Sequence, residues 1–228
     1  MSLVWDKMIP LSQNILETLE QTTDDELKYT AEQGDGYLWE NYIFTNRNYR
    51  RAHVEIVDAR EAKKIWVMHM TIFPEFDDPT PIFGFDVVCG ANKITGAFHD
   101  FSKNGNCPVY AWFLDRSSKL EWNKPRVLPD WATQIFSPGM IAAGNISEEE
   151  ELDKLADIAI ESLHVYLYNV GCVEKTGESY KEKYNNYCKF QKMNPHTPAM
   201  MINLGIDEKV FRTFMDEVLF PEEPNDRT

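Results

Sequence analysis

Two ionisable residues interrupt otherwise apolar runs of this sequence. His69 stands inside residues 65–73 (IWVMHMTIF) and Asp86 inside residues 82–89 (IFGFDVVC). A carboxyl beside an imidazole in apolar surroundings can pass protons near neutral pH, because burial raises the acid's pKa and the imidazole already titrates there. A lone buried His or Asp is more often a hydrogen-bonded core residue, so the chemical reading needs further groups on the same surface. They are present. In residues 49–57, Arg51, His53 and Glu55 alternate with Ala52, Val54 and Ile56. In residues 65–73, Val67, His69 and Thr71 oppose Trp66, Met68, Met70 and Ile72. Gly84, Asp86 and Val88 oppose Phe83, Phe85 and Val87, and in residues 94–101 Thr95 and Ala97 alternate with Ile94 and Phe98. Paired as neighbouring strands, these runs give one apolar face and one that collects His53, Glu55, His69, Asp86 and Thr95. An open solvated face would carry more Lys and Glu. This one reads as the lining of a cavity, suited to protonating something large and flat.

The elements that must position these groups follow from the same patterning. Residues 37–44, 49–57, 65–73, 82–89 and 94–101 are rich in β-branched and aromatic residues and predict at least five strands. The turns between them, at 46–48, 58–64 and 91–92, suit hairpins, so the sheet is expected to be antiparallel. The acidic, proline-marked loop 74–81 joins the two central strands. Before the sheet, residues 5–19 carry Met8, Leu11, Ile15 and Leu19 at helical spacing, and 24–35 reads as polar connection. After it, helices are expected at 108–120, at 148–169 behind a Ser147/Glu150 capping box, after Gly177 and at 208–219, with a proline-broken loop at 193–198 leading into 199–204. The tail 221–228 is expected to fray. Helices cluster at both ends and strands in the middle, which predicts a single domain over 1–228: an α/β/α sandwich, its antiparallel sheet flanked by helices on both faces.

Composition narrows the function. Lys and Arg total 23 against 37 Asp and Glu, a net charge of −14. That excludes nucleic acid as the main partner. An acidic protein partner would need a local cluster of cations, for which Arg47, Arg50 and Arg51 or Lys181, Lys183 and Lys189 are the candidates. The cysteines at 89, 107, 172 and 188 lack CxxC pairing and fit reduced thiols in a cytoplasm. No signal peptide is evident and no apolar run spans a bilayer, so a soluble protein without membrane contact is expected. No Gly-rich phosphate loop, HExxH motif or GxSxG elbow occurs, and neither a metal nor a bound cofactor is expected.

The sequence resembles the ferredoxin-dependent bilin reductases, and among them the phycocyanobilin:ferredoxin oxidoreductase lineage. The resemblance is carried in order by Arg51-Ala52-His53-Val54-Glu55, by His69 with Phe73-Pro74-Glu75, and by Pro81-Ile82-Phe83-Gly84-Phe85-Asp86. Leu128-Pro129-Asp130-Trp131, Ile135-Phe136-Ser137 and the closing run from Phe214 to Phe220 continue it over nearly the whole chain. It implies reduction of biliverdin IXα by single electrons from the [2Fe-2S] cluster of reduced ferredoxin, with no bound flavin or metal. By position it implies that Asp86 is the central proton donor, His69 its hydrogen-bonded partner, Glu55 the acid facing an outer ring, and His53 an aid to the same network. Thr95 and Arg126 fall where the family holds the bilin propionates, with Trp131 near that wall. The sequence departs from the phycoerythrobilin-forming relatives that carry a second acid before a proline, because Asn194 precedes Pro195 here and an amide supplies no proton. His196 replaces a propionate-holding lysine. The catalytic set matches phycocyanobilin formation, whereas the short acidic chain resembles the marine phage-borne branch linked to phycoerythrobilin. The resemblance therefore implies a four-electron reduction, with phycoerythrobilin favoured and phycocyanobilin the alternative. The pocket is expected between the polar sheet face and the later helices, Arg126 near its mouth. A non-catalytic bilin carrier, or an acid/base enzyme of unrelated substrate, could use the same residues.

Overall fold

The computed structural model describes residues 2–24, 27–175 and 177–224. Its centre is one seven-stranded antiparallel sheet in simple chain order. The strands are β1 (Lys28–Gly34), β2 (Tyr37–Asn46), β3 (Tyr49–Ala59), β4 (Ile65–Phe73), β5 (Ile82–Gly90), β6 (Ile94–Ser102) and β7 (Ile141–Ala143). On one face lie α1 (Leu3–Thr22), α2 (Pro108–Ser117) and α3 (Glu149–Asn169). On the other lie α4 (Lys181–Gln191), α5 (His196–Asn203) and α6 (Glu208–Phe214), which continues into a π-helical turn, Met215–Leu219. This is the expected α/β/α sandwich.

The larger core forms because alternate residues of β3 to β6 meet helical stripes. Val54, Met70 and Phe85 line up across three strands, flanked by Ile56, Met68 and Val87. They pack against Met8, Leu11, Ile15 and Leu19 of α1 and Leu152, Leu155, Leu163 and Tyr166 of α3. His99 belongs to this dry layer, its nitrogens 2.7 Å from the Gly84 carbonyl and 2.7 Å from the Ser162 hydroxyl. It is the satisfied core histidine that a lone His in an apolar run usually is.

Several expectations need correction. Residues 28–34, read as polar connection, form edge strand β1. Both its faces are open to solvent, so no apolar alternation marks it, and its backbone pairs with β2 around Asp35-Gly36, where Gly36 takes φ +82°. The three-residue β7 is too short to leave a pattern. Helix α2 stops at Ser117 rather than 120, and α5 starts at His196, inside the stretch expected to be a proline-broken loop. The Ser147 capping box does not form. Glu148 occupies the N-cap position without a side-chain bond, and Ser147 Oγ contacts the Glu148 carboxylate instead. Glu149, Glu150 and Glu151 at the positive end of the helix supply the compensating electrostatics. The chain after Phe220 is fastened where fraying was expected: the Tyr184 hydroxyl donates to the Pro221 carbonyl, Asn185 exchanges two hydrogen bonds with Glu223, and Lys192 pairs with Glu222. Residues 225–228 of that tail lie outside the described residues.

Candidate functional site

The face turned toward α4–α6 is organised in rows, because antiparallel strands in register set directly opposed side chains on one side at a spacing of about 5 Å. One row runs Asn41, Glu55, His69, Asp86, Phe98 and Ala142 across β2 to β7. The row beneath it runs Ile43, His53, Thr71, Gly84 and Asp100, and the row above runs Trp39, Val57, Val67, Val88 and Gly96. Glu55, His69 and Asp86 are therefore consecutive neighbours, with His53 one step diagonal. From Glu55 to Phe98 the row covers three inter-strand steps, roughly 14 Å.

Burial sets the charge state. The Asp86 carboxyl is pushed up to about 7 by desolvation alone. The Glu55 carboxyl is also pushed up to about 7, by burial first, with the indole of Trp39 opposing and the charge of Asp86 adding to the rise. Burial moves His69 the other way, down to about 4, and holds His53 well below its ordinary value, with the Arg51 and His69 charges reinforcing the depression. Near neutral pH the imidazoles are neutral and the transferable protons sit on the carboxyls. His69 and Asp86 stand opposite each other without the direct hydrogen bond the family resemblance implied, and His69 Nε2 is buried with no partner. Asp86, His69 and Phe98 are half-buried, whereas Glu55 and His53 are closed off.

Two groups on β2 escaped the sequence reading. Trp39 Nε1 donates to Glu55 Oε1 at 2.7 Å, and His53 Nε2 lies 3.0 Å from Asn41 Oδ1. The second contact puts the imidazole proton on Nε2 and leaves Nδ1 buried without a partner. The strand's own pattern gives only part of the signal: Tyr37, Trp39, Asn41 and Ile43 share a face, and an Asn flanked there by Trp39 and Ile43 marks a bonded polar group without naming its partner on the next strand.

Aromatic rings from the later helices cover part of the face. Phe220 meets His69 edge-on at 5.6 Å, Phe214 meets His53 at 6.1 Å and Trp39 at 4.5 Å, and Tyr187 bridges Phe220 and Phe136. Phe136 in turn packs 6.4 Å from Trp131. Buried Asp100 holds this last segment, accepting from Ser137 N at 3.0 Å and from the Ser137 and Ser102 hydroxyls.

The remaining expected residues are more scattered. Thr95 falls at a register shift between β5 and β6, and its hydroxyl bonds the Val88 carbonyl at 3.0 Å. Arg126 is exposed at the β7 edge, donates to the Thr95 carbonyl and lies 5.8 Å from the Phe98 ring, at the end of the acid row. It is the single charged residue lining a depression of about 410 Å³ that opens beside α2 and β7, so this depression is not the pocket expected over the row. Asn194 and His196 are spent locally at the start of α5. Asn194 Oδ1 accepts from His196 N at 3.0 Å, and among the described residues no hydrogen bond joins either side chain to the row.

Of the basic candidates, Arg50 is enclosed by Phe76 and Tyr184, 4.3 Å from each ring, and pairs with Glu223, while Arg51 donates to the Val218 carbonyl. Neither is a free surface cation. Among the described residues no group of three or more His, Cys, Asp or Glu side chains could hold a metal ion. No helix of the described residues is long and apolar enough to cross a membrane.

A profile of the ferredoxin-dependent bilin reductase family matches residues 7–221. A phycocyanobilin:ferredoxin oxidoreductase of Synechococcus sp. (strain CC9605) is 25% identical over 211 residues, covering 88% of this chain and 84% of the relative. One from Prochlorococcus marinus (strain MIT 9313) is 29% identical over 203 residues, covering 84% and 74%. Among solved structures, a protein described as PcyX superposes with TM-score 0.65 at 28% identity, over 95% of this chain and 99% of that one. The phytochromobilin synthase from tomato, solved in complex with biliverdin, superposes with TM-score 0.67 over 95% of this chain and 82% of that one. At 14% identity it attests the fold.

Proposed function

We infer the reaction from two premises: the chain belongs to the ferredoxin-dependent bilin reductase family, and its sheet carries two acids on either side of a histidine in one row. As a member it is an oxidoreductase fed by ferredoxin. The substrate is biliverdin IXα, reduced to a phycobilin by four single electrons from reduced ferredoxin and four protons, two of each for every double bond. A bilin that has gained one electron is more basic than its parent, and a positioned acid that is still protonated traps the charge. Asp86 supplies that proton, His69 beside it relays the replacement, Glu55 protonates the far ring and His53 supports Glu55 through β2. Arg126, with Thr95 and Trp131, receives the propionate side, and Asn194 and His196 contact the pigment from the turn that opens α5.

The observation that carries this reading is the run Glu55, His69 and Asp86 on consecutive strands, both acids raised to about 7 by burial. An unperturbed Asp, with a pKa of about 3.9, would be ionised and useless as a donor at neutral pH. The product is phycoerythrobilin. A second reading, phycocyanobilin, is supported by the names of the curated relatives. The test is anaerobic turnover of biliverdin IXα with ferredoxin, its reductase and NADPH, followed by absorbance and by chromatography of the products. Loss of the biliverdin band with a phycobilin peak supports the assignment, and the peak's identity decides between the two products. A spectrum that shifts on binding and then stays unreduced restores the carrier reading.

A further inference from the structure

We propose that Trp39 is a positioning residue for the proton that Glu55 delivers: its indole N–H holds one carboxyl oxygen and so fixes the acidic hydrogen on the other. This deepens the reading above and rests on Glu55 being a donor to the pigment.

The argument is one of hydrogen-bond valence. An indole Nε1–H donates and never accepts. With Trp39 Nε1 at 2.7 Å from Glu55 Oε1, that oxygen is an acceptor whether the carboxyl is charged or neutral. The carbonyl oxygen of a neutral carboxyl is a better acceptor than its hydroxyl oxygen, so the bond makes Oε1 the carbonyl and places the proton on Oε2, and the carboxyl is singly oriented instead of sharing its proton between two equivalent oxygens. Both partners are 3% exposed, so water does not compete for the bond. The indole is itself held from α6 by Phe214 at 4.5 Å and Phe211 at 6.2 Å, which keeps its N–H aimed.

Nothing else on the face performs this task. The titratable groups around Glu55 are His69 opposite it on β4, Asp86 beyond on β5, and His53 two residues back on β3. Asn41, opposite Glu55 on β2, is engaged by His53. Glu32, opposite Trp39 on β1, accepts from the Tyr37 hydroxyl. Arg51 is engaged by the Val218 carbonyl, α6 offers Phe211 and Phe214, and the turn after it places Asp216 against Lys192. The Trp39 N–H is thus the one donor to the Glu55 carboxyl among the described residues. It also favours the ionised form and opposes the rise that burial imposes.

The test is Trp39→Phe, which keeps an aromatic ring against Phe214 and deletes the donor, set beside Glu55→Gln and the double variant. Turnover of biliverdin with ferredoxin is measured from pH 6 to 9, with bilin affinity by absorbance titration. Losing the donor should lower kcat about ten-fold at pH 7, as expected for a misdirected reacting group, with bilin Kd changed less than three-fold. The alkaline limb of the profile should move to higher pH, and the double variant should match Glu55→Gln alone, since the indole has nothing left to orient. A Trp39→Phe profile that superimposes on the wild type, an alkaline limb moved to lower pH, or losses that multiply in the double variant would each overturn the proposal. If Glu55→Gln itself turns over at the wild-type rate, the donor role of Glu55 fails first, and the two failures are told apart. Where the phenyl ring is not accommodated, Trp39→Leu carries the same test.

Discussion

Replacing Asp86 with asparagine separates the cost of the buried acid from its use. Desolvation lifts the Asp86 carboxyl from 3.8 to about 7. At about 1.36 kcal/mol per pH unit, that is a ceiling of roughly 4 kcal/mol. The sign follows from linkage: below pH 4 the acid is neutral folded and unfolded, and between about 4 and 7 the unfolded chain ionises first, so stability is lost as pH rises. Above 7 the loss is complete and constant. An amide of the same shape titrates in neither state. Asp86→Asn therefore gains on the wild type across that window, and Glu55, relieved of a neighbouring charge, adds to the gain in the same direction. Water entering beside the half-buried carboxylate should reduce the ceiling to about 2–4 kcal/mol, which for a chain of this length is roughly 4–10 °C in Tm. The assay is thermal unfolding of both proteins from pH 4 to 9, with turnover measured in parallel. The variant should be the more stable protein at pH 8, should bind biliverdin, and should be at least a hundred-fold slower to reduce it. Unfolding curves whose separation stays constant from pH 4 to 9 would refute the burial argument, whatever the activity shows.

His69→Gln should show the mirror image. Burial lowers the imidazole to about 4, so wild-type stability is lost as pH falls through the window from 6.5 to 4, and the variant gains there by up to about 3 kcal/mol while turnover drops. Steady-state reduction by the wild type should decline above pH 7 as both carboxyls ionise, and a rate that climbs from pH 7 to 9 would contradict them as donors. Ser137→Ala strips two donors from buried Asp100 if the segment shifts, and one if it does not. A loss of about 1–3 kcal/mol in urea unfolding is expected, and an unchanged midpoint would deny the clamp. Gly36→Ala should cost about 1–2 kcal/mol, since φ is +82° and an added Cβ would lie 2.4 Å from that of Ala62. Equal chemical-denaturation midpoints would contradict it.

What the sequence disclosed depended on where each residue's partners lie along the chain. His53, Glu55, His69 and Asp86 were legible as one face because alternation is a local property, and hairpin pairing of consecutive strands carries it unchanged across the sheet. Short turns leave little freedom in which residue opposes which, and across the longer loop 74–81 the need to bury Met68, Met70, Phe85 and Val87 on one face fixes the register instead. Trp39 and Asn41 were missed although they share that face, since their roles are hydrogen bonds to a second strand and not a pattern within their own. Strand β1 was illegible for another reason. A two-sided solvent edge has no apolar period, and only its backbone pairing defines it. Arg50 and Arg51 looked like surface charge because neighbouring cations usually are. The rings of Phe76 and Tyr184 and the Val218 carbonyl that occupy them arrive from more than twenty residues away.

The same burial moves the acids and the bases of this face in opposite directions, and that matters more than any one pKa. A site of four exposed groups with these identities would hold carboxylates and imidazoles about one-quarter charged at pH 7, with its protons on nitrogen. Here desolvation transfers them to oxygen: Asp86 and Glu55 rise to about 7 while His69 falls to about 4. A carboxyl that titrates near neutrality still carries its proton where an ordinary carboxylate has lost it, and the neutral imidazole opposite Asp86 has a lone pair with which to accept one. The requirement is on the sheet and not on the residues alone. If β4 slipped by one position against β5, His69 would turn into the core layer of Met68 and Met70, and Asp86 would lose the imidazole opposite it.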